Sequence, residues 1–390
     1  MPSVLIVPRG RPFRPYELRP WLELPDRYQV SYMLTGPDRF PSLDGLRVVP
    51  ARTLRELLPN GPIGELAAIA LGDRYISAKD AFARADIVHA GELSFWGGAE
   101  AARRRRRYGF RLVQTVGETL PLLAAYRNRH ARRFREQVLA ETDLYLTSTE
   151  RAALALEIEG IPPERIAVCP PGIDATRFST PPSTQRPAVH TIISPGRLVW
   201  EKGHHDILRA LALLHRGMIR TPAGETVRPR LRIIGSGHEE SRLRAHAAEL
   251  GLSDAVEILS VAHEEMPAVY AEASAMVLAS QSSATAQLNP YGIPHAFWEE
   301  QFGWVLAEAM ATSLAIIATT SGAIPEVVRG TPVELVAAGD WPAIARALAA
   351  GPLARPPGAR VSYPEAILRR YSSSAAAERL TAAYDRLLAA

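Results

Sequence analysis

Short apolar, β-branched runs alternate with amphipathic stretches along the whole chain. In the first half the candidate strands are residues 3–7, 86–89, 111–115 and 143–147, with a weaker pair near 28–34 and 46–49. In the second half they are 190–194, 230–234, 255–258, 275–279, 314–318 and 332–335. Between them, residues 205–215, 239–250 and 303–312 place apolar side chains at helical spacing, in lengths that suit βαβ crossovers. Alternation of this kind predicts an α/β protein with parallel sheets. The polar, proline-rich stretch from Thr180 to Pro187 breaks the pattern near the midpoint and is the linker candidate.

The expected architecture is two Rossmann-like, doubly wound domains, residues 1–180 and 187–365, facing each other across a cleft. In such sheets ligands bind beyond the carboxyl ends of the strands. Residues 366–390 end in a helical pattern, Ala375 to Leu388, and are the candidate for a helix crossing back to the N-terminal domain. Residues 281–298, rich in Ser, Ala, Asn and Pro, form a long loop beside the expected site.

At 390 residues the chain exceeds one ordinary core. An apolar share of 47% with 22% charged residues fits a soluble globular protein. The single Cys169 excludes an intramolecular disulfide and suits a reducing compartment. No run approaches the ~18 apolar residues of a membrane span. The opening Ser3–Pro8 stretch has no basic region before it, so it is expected as a buried strand, not a signal peptide. The expected location is cytoplasmic.

Residues 1–180 carry 26 Lys and Arg against 21 Asp and Glu, whereas the rest is nearly balanced. The excess gathers at Arg103 to Arg107 and at Arg127, Arg129, Arg132, Arg133 and Arg135, so an anionic partner should meet the N-terminal half. A solvated helix face is the plainer account of these arginines. A peripheral contact with an anionic membrane at the inner face is the alternative, suited to a lipid-linked acceptor. No aromatic platform or nucleic-acid module accompanies the run, so nucleic acid is not an expected partner. Only two of the 45 basic residues are lysines, Lys79 and Lys202, which singles each of them out.

The segment richest in chemistry is Phe297-Trp298-Glu299-Glu300-Gln301-Phe302-Gly303-Trp304-Val305-Leu306-Ala307-Glu308-Ala309-Met310-Ala311. Eight helical steps from Glu300 to Glu308 would span ~12 Å, about the reach from a ribose to the sugar beyond a diphosphate. Carboxylates suit both ends, because ribose and hexose each offer vicinal hydroxyls as donors. Amides at the helix start would meet the phosphates. By spacing alone the pattern also describes any helix with two solvated glutamates, so its surroundings must decide.

Those surroundings resemble glycosyltransferase family 4, a family of retaining enzymes with the GT-B fold. The segment resembles the family's E-F-G…E-A-M-A signature. Ser194-Pro195-Gly196-Arg197-Leu198-Val199-Trp200-Glu201-Lys202-Gly203 resembles its G-R-L-x-x-E-K-G element, and Ile233-Ile234-Gly235-Ser236-Gly237 its I-G-x-G turn. Cys169-Pro170-Pro171-Gly172-Ile173-Asp174 with Phe178 resembles the P-x-G-[IV]-D…F that closes the first domain. Ser321-Gly322-Ala323-Ile324-Pro325-Glu326-Val327-Val328 matches G-x-x-E-[VI]-[VI]. These matches run in family order over about residues 165 to 330.

The resemblance implies a retaining hexosyltransferase that uses a UDP- or GDP-linked sugar as co-substrate and passes the sugar to a hydroxyl acceptor. Cell-envelope polysaccharide, glycolipid or small-molecule glycosides are the products it suggests. Arg197 and Lys202 would hold the diphosphate, offsetting the charge that develops as it leaves. Glu300 would accept from the transferred sugar and Glu308 from the ribose. Amides of Gly303, Trp304, Val305 and Leu306 would add to the phosphate cradle. Gly235 and Gly237 would let the chain approach the nucleotide. His263, which follows a strand near where the family recognises the base, is a candidate to stack on it, a plain loop histidine being the alternative. No metal is expected: the chain has no D-x-D or H-E-x-x-H, and the adjacent His204 and His205 point different ways on a helix.

The chain departs from the family in three places. Gly117 stands where members often carry a histidine after V-x-T, which makes the neighbouring Glu118 the candidate polar group there. His89, Glu92 and Ser94 follow as acceptor-side candidates. Ser313-Leu314-Ala315 replaces the usual G-x-P. Pro8-Arg9-Gly10-Arg11-Pro12 replaces the G-G turn after the first strand, leaving Gly10 as a candidate for close approach. A non-catalytic nucleotide-sugar-binding subunit of the same fold is the alternative that these departures favour.

Overall fold

The computed structural model describes residues 1–8, 15–35, 46–59, 61, 63, 64, 67, 74–123, 129–179, 187–282 and 298–389. The chain packs as two compact units, Met1–Gly172 with Ser373–Ala390, and Ile173–Ser372. Gly10, Arg127, most of the proline-rich stretch and most of the 281–298 loop lie outside the described residues.

The first unit contains a parallel sheet of β1 (Ser3–Ile6), β2 (Gln29–Thr35), β3 (Arg47–Ala51), β4 (Ile87–Gly91), β5 (Arg111–Val116), β6 (Leu144–Thr147) and β7 (Ile166–Val168). Their order is β3-β2-β1-β4-β5-β6-β7, so the winding reverses between β1 and β4. Val4 pairs with Ile87 across that point, and Val113 with Leu144 further along. Strand β7 is not legible as an apolar run: it has three residues, and Val168 is exposed. It gains its hydrogen bonds by lying beside β6.

The second unit contains β8 (Thr191–Pro195), β9 (Arg230–Ile234), β10 (Val256–Leu259), β11 (Ala275–Leu278), β12 (Ala315–Thr319) and β13 (Glu334–Val336). Their parallel order is β10-β9-β8-β11-β12-β13, with the reversal between β8 and β11. Side chains alternate across this sheet into two apolar layers. Ile192, Leu231, Ile233 and Val277 face helices His204–His215 and Trp341–Ala350. Ile193, Met276, Leu278 and Ile316 face helices Met266–Glu272 and Trp304–Ala311. Ile173 and Phe178 join this second layer, so the P-x-G-I-D…F stretch ends in the second unit's core instead of closing the first.

Two junctions differ in detail from the sequence expectation. The helix predicted over 303–312 starts only at Trp304, with Gly303 before it at φ 77°. Glu300 therefore precedes the helix, and the ~12 Å estimate from helical rise does not apply to the pair. Where G-x-P is missing, Ser313 itself takes φ 57°, a left-handed conformation that glycine favours. Its amide donates to Met310 O at 2.9 Å, and Leu314 N donates to Ala309 O at 3.0 Å, so the turn survives.

The C-terminal helix Ser373–Ala389 belongs to the first unit. It lays Leu380, Ala383, Tyr384 and Leu387 on Val4, Ile87, Val113, Leu144 and Leu146 of the sheet. Tyr384 is wholly buried and its hydroxyl joins two partners: Trp21 Nε1 donates to it at 2.9 Å, and His89 Nδ1 lies 2.6 Å away. Burial raises the phenol's pKa, so it keeps its proton for His89. Tyr384→Phe should destabilise the protein by about 1–3 kcal/mol, since it strands the Trp21 N–H in an apolar layer. Denaturant unfolding of the two proteins measures this directly.

Candidate active site

The second unit places its chemistry at the carboxyl ends of β8 and β11, the two strands that flank its reversal point. After β8 the chain turns through Gly196–Val199 into a short 3-10 turn, Trp200–Lys202, and then the helix from His204. After β11 come Ser280 and Gln281, and after β12 comes Ser321.

Glu300 is the meeting point of these segments. Lys202 Nζ donates to its Oε2 at 2.5 Å and Ser280 Oγ to the same oxygen at 2.6 Å. The Glu300 amide donates to Ser321 Oγ at 3.1 Å, and Ala323 N donates to the Glu300 carbonyl at 2.8 Å. Ser321 Oγ donates in turn to Gln281 O, and Gln281 Nε2 to Asp206 Oδ2 at 2.8 Å. The Lys202 ammonium also lies 5.2 Å from the Trp298 ring centroid, within cation–π range. Lys202 and Glu300 are thus directly paired. Ser280, Ser321 and Trp298 are the residues that sequence reasoning missed here. Only their adjacency to the motifs could have flagged them.

Glu308, on the helix Trp304–Ala311, is buried and held from two sides. Tyr270 Oη donates to Oε2 at 2.8 Å, and His263 Nε2 lies 3.0 Å from Oε1. The His263 ring packs edge-on against Phe178 with centroids 5.9 Å apart. His263 is therefore a partner of Glu308, a role that its position after β10 did not disclose.

Several other candidates are placed differently from expectation. A Cβ on Gly235 would lie 2.9 Å from the Gly196 carbonyl carbon and closer to its oxygen. One on Gly237 would lie 2.7 Å from the Leu198 carbonyl carbon. These glycines make room for the protein's own Gly196–Leu198 turn. The Leu306 amide is taken by Gly303 O at 2.8 Å, so the candidate cradle shrinks to Gly303, Trp304 and Val305. Arg197 is exposed beside this region, and its carbonyl faces His204 Nε2 at 3.1 Å.

His204 and His205 serve the scaffold. His204 Nε2 can only donate to the Arg197 carbonyl, so Nδ1 accepts from Ser194 Oγ at 2.9 Å. His205 stacks on Trp200 at 3.9 Å. Burial pulls the two pKa values down from 6.5, to about 4 and about 3 respectively. Both imidazoles are neutral in the folded protein at pH 5, whereas the unfolded chain takes up protons below about pH 6.5. Stability present above pH 6.5 should therefore be lost as pH falls toward 4, by about 2 kcal/mol per histidine at pH 5. Comparing denaturation midpoints at pH 7 and pH 5 checks this, and His205→Phe should flatten the dependence by one proton's worth.

In the first unit, His89 is buried, with Nε2 2.6 Å from Thr115 Oγ1 and Nδ1 on Tyr384, so both ring nitrogens are spent on packing. It is not a group offered to an acceptor. Glu118 Oε1 accepts from the Thr119 and Leu120 amides at 3.0 and 3.1 Å, capping its own turn. Glu92, just after β4, takes φ 62°, and its Oε1 accepts from the Gly117 amide at 3.1 Å. Ser94 is half-buried two residues on. The structure thus brings Glu92 and Gly117 together.

The arginine run is largely neutralised within the unit. Glu100 pairs with Arg103 and Arg104, Arg105 with Asp143 at 2.5 Å, and Arg106 with Glu141 at 2.6 Å. Arg107 lies over the Tyr108 ring. Among the described residues no group of three or more His, Cys, Asp or Glu could hold a metal ion. Among them, too, no helix is long and apolar enough to cross a membrane.

Two units, each built on a parallel sheet with alternating helices, are the architecture of the GT-B class of glycosyltransferase folds. Residues 22–177 match the family model Glycosyltransferase Family 4, and residues 179–350 match Glycosyl transferases group 1. The chain belongs to glycosyltransferase family 4. Over 218 residues it is 33% identical to WcaL of Escherichia coli K12, provisionally named as a colanic acid biosynthesis glycosyltransferase. The match covers 55% of this chain and 49% of that protein, so the chain spans about half the length of this curated relative. It is 27% identical to the D-inositol 3-phosphate glycosyltransferase of Actinosynnema mirum, over 83% of this chain and 75% of that one. The fold matches the crystal structure of Anabaena HepE in complex with UDP and glucose, with a TM-score of 0.72, 17% identity, and 99% and 100% of the two chains covered.

Proposed function

We propose that this protein is a retaining glycosyltransferase that moves a hexose from a UDP- or GDP-linked sugar to a hydroxyl acceptor, with no metal. The observation that carries the reading is the buried contact of Lys202 with Glu300 at the carboxyl ends of β8 and β11. A cation and a sugar-holding carboxylate share one spot there, which is what cleavage of a hexose–phosphate bond requires. Lys202 keeps two further N–H donors for phosphate oxygens, and Arg197 adds a second charge. Glu300 accepts from hexose hydroxyls and Glu308 from ribose. The departing phosphate, stabilised by these cations, takes the acceptor's proton.

Several relatives support the nucleotide-sugar class. HepE was solved with UDP, and one mannosyltransferase of Mycobacterium tuberculosis is named as GDP-mannose-dependent. Glu92 and Glu118 are the acceptor-side carboxylates of this reading. Membrane contact through Arg103–Arg107 gains little from the structure, because four of the five are ion-paired internally.

Proton NMR of a UDP-hexose or GDP-hexose incubated with the protein alone tests the proposal. Slow release of free sugar is expected, with the donor's anomeric configuration in the first-formed product, and Glu300→Gln should abolish it. Release of the opposite anomer would exclude retention. No release from any nucleotide sugar, with or without a broad acceptor panel, would remove the enzymatic reading.

A further inference from the structure

Arg177 settles which nitrogen of His263 carries the proton. Its Nη2 lies 3.2 Å from His263 Nδ1 and also donates to the His263 carbonyl. A guanidinium has only donors, so Nδ1 must accept, and the ring proton sits on Nε2. That N–H faces Glu308 Oε1 at 3.0 Å. On the other side the fully buried Tyr270 hydroxyl donates to Oε2 at 2.8 Å. Burial, then the facing carboxylate, raise the Tyr270 pKa, so the phenol remains a donor.

A carboxylate offers about four lone-pair sites. Here one on each oxygen is taken, and one on each remains. The two existing bonds reach opposite oxygens, from His263 in the turn that leads into the helix Met266–Glu272 and from Tyr270 inside that helix, so they fix the carboxylate plane. What is left is one acceptor position on each oxygen, the two oxygens held at a fixed spacing, which suits two adjacent hydroxyls better than one.

We propose that Arg177, His263 and Tyr270 are positioning residues that make Glu308 a selective reader of an intact ribose diol, discriminating nucleoside diphosphates from their 2′-deoxy counterparts. The inference rests on the donor-site reading above and deepens it. A carboxylate free to rotate would accept a single hydroxyl almost as well as two. A clamped one leaves an acceptor unpaired in a buried site when the 2′-hydroxyl is missing, and that penalty generates selectivity.

The test is titration calorimetry of UDP, GDP, 2′-deoxy-UDP and 2′-deoxy-GDP against the wild type, Tyr270→Phe, His263→Phe and Arg177→Met. The wild type should prefer the ribonucleotide by about tenfold or more, the value of one good hydrogen bond. Tyr270→Phe and His263→Phe should each shrink that ratio to about twofold by freeing the carboxylate. Arg177→Met, which takes the guanidinium from His263 and from the Phe178 ring but leaves the His263 and Tyr270 side chains in place, should shrink it by a smaller factor and guards against a core variant that fails to fold. A purely structural role would lower stability without moving the ratio. An unchanged ratio in the variants, or equal binding of ribo- and deoxynucleotide by the wild type, overturns the inference alone. Failure of any nucleotide to bind the wild type overturns the donor-site reading with it.

Discussion

Lys202→Met is expected to lower turnover of the nucleotide sugar by about 10²–10³-fold, the usual cost of one transition-state charge donor. Methionine keeps the length and apolar stem of lysine, so packing against Trp298 is retained while the ammonium is lost. In the proposed reaction the charge matters most as the hexose–phosphate bond breaks, because negative charge would then build on the phosphate beside Nζ. Removing it also leaves Glu300 with Ser280 as a hydrogen-bond donor but without its cation, in a site where the Glu300 side chain is 8% exposed. Breaking a buried pair by removing one partner is destabilising, so a loss of about 1–3 kcal/mol should accompany the kinetic defect. The double variant Lys202→Met, Glu300→Gln separates the effects, since a neutral amide needs no cation. It should regain stability and stay inactive. Lys202→Arg should not restore full turnover, because a planar fork does not fill the place of a compact ammonium. Steady-state kinetics with parallel denaturant unfolding reads both quantities.

Gly203→Ala is expected to cost at least about 4 kcal/mol, enough to unfold a marginally stable unit. Gly203 links the 3-10 turn that carries Lys202 to the helix behind it, at φ 66°. A side chain in this conformation costs about 1–2 kcal/mol by itself. A Cβ would in addition lie 2.8 Å from the Ala279 carbonyl carbon and closer still to its oxygen. Ala279 is buried at the end of β11, a central strand, so the backbone cannot retreat. A fall in melting temperature of about 10 °C or more is the expected reading, or loss of soluble protein. Gly224→Ala is the control: it has φ 81° with nothing within 4 Å, so only the conformational cost should appear.

Much of this was readable beforehand, because buried parallel strands leave strong traces. Each strand candidate in the sequence corresponds to a strand in the fold. Strand β7 escaped because an edge position needs no apolar run, and Ile166 and Ala167 are only half-buried. The polar contacts of the site were less legible. The span estimate counted helical steps from Glu300, but the helix starts only at Trp304, after Gly303, so the pair cannot be spaced by helical rise. The Lys202–Glu300 contact joins positions nearly a hundred residues apart, and only tertiary structure discloses it. Gly235 and Gly237 were recognisable as points of close approach, but what approaches is the Gly196–Leu198 backbone. His89 carries a functional-looking imidazole whose hydrogen bonds turn inward, something that residue type cannot reveal.

The central claim is that the second unit holds a nucleoside diphosphate, with Glu308 on its ribose. Titration calorimetry of the wild type and of Glu308→Gln with UDP and GDP tests it most directly. One of the two nucleotides should saturate a single site in the wild type, with binding weakened about tenfold or more in Glu308→Gln. Heats of dilution alone with both nucleotides, or equal affinity in the variant, would contradict it.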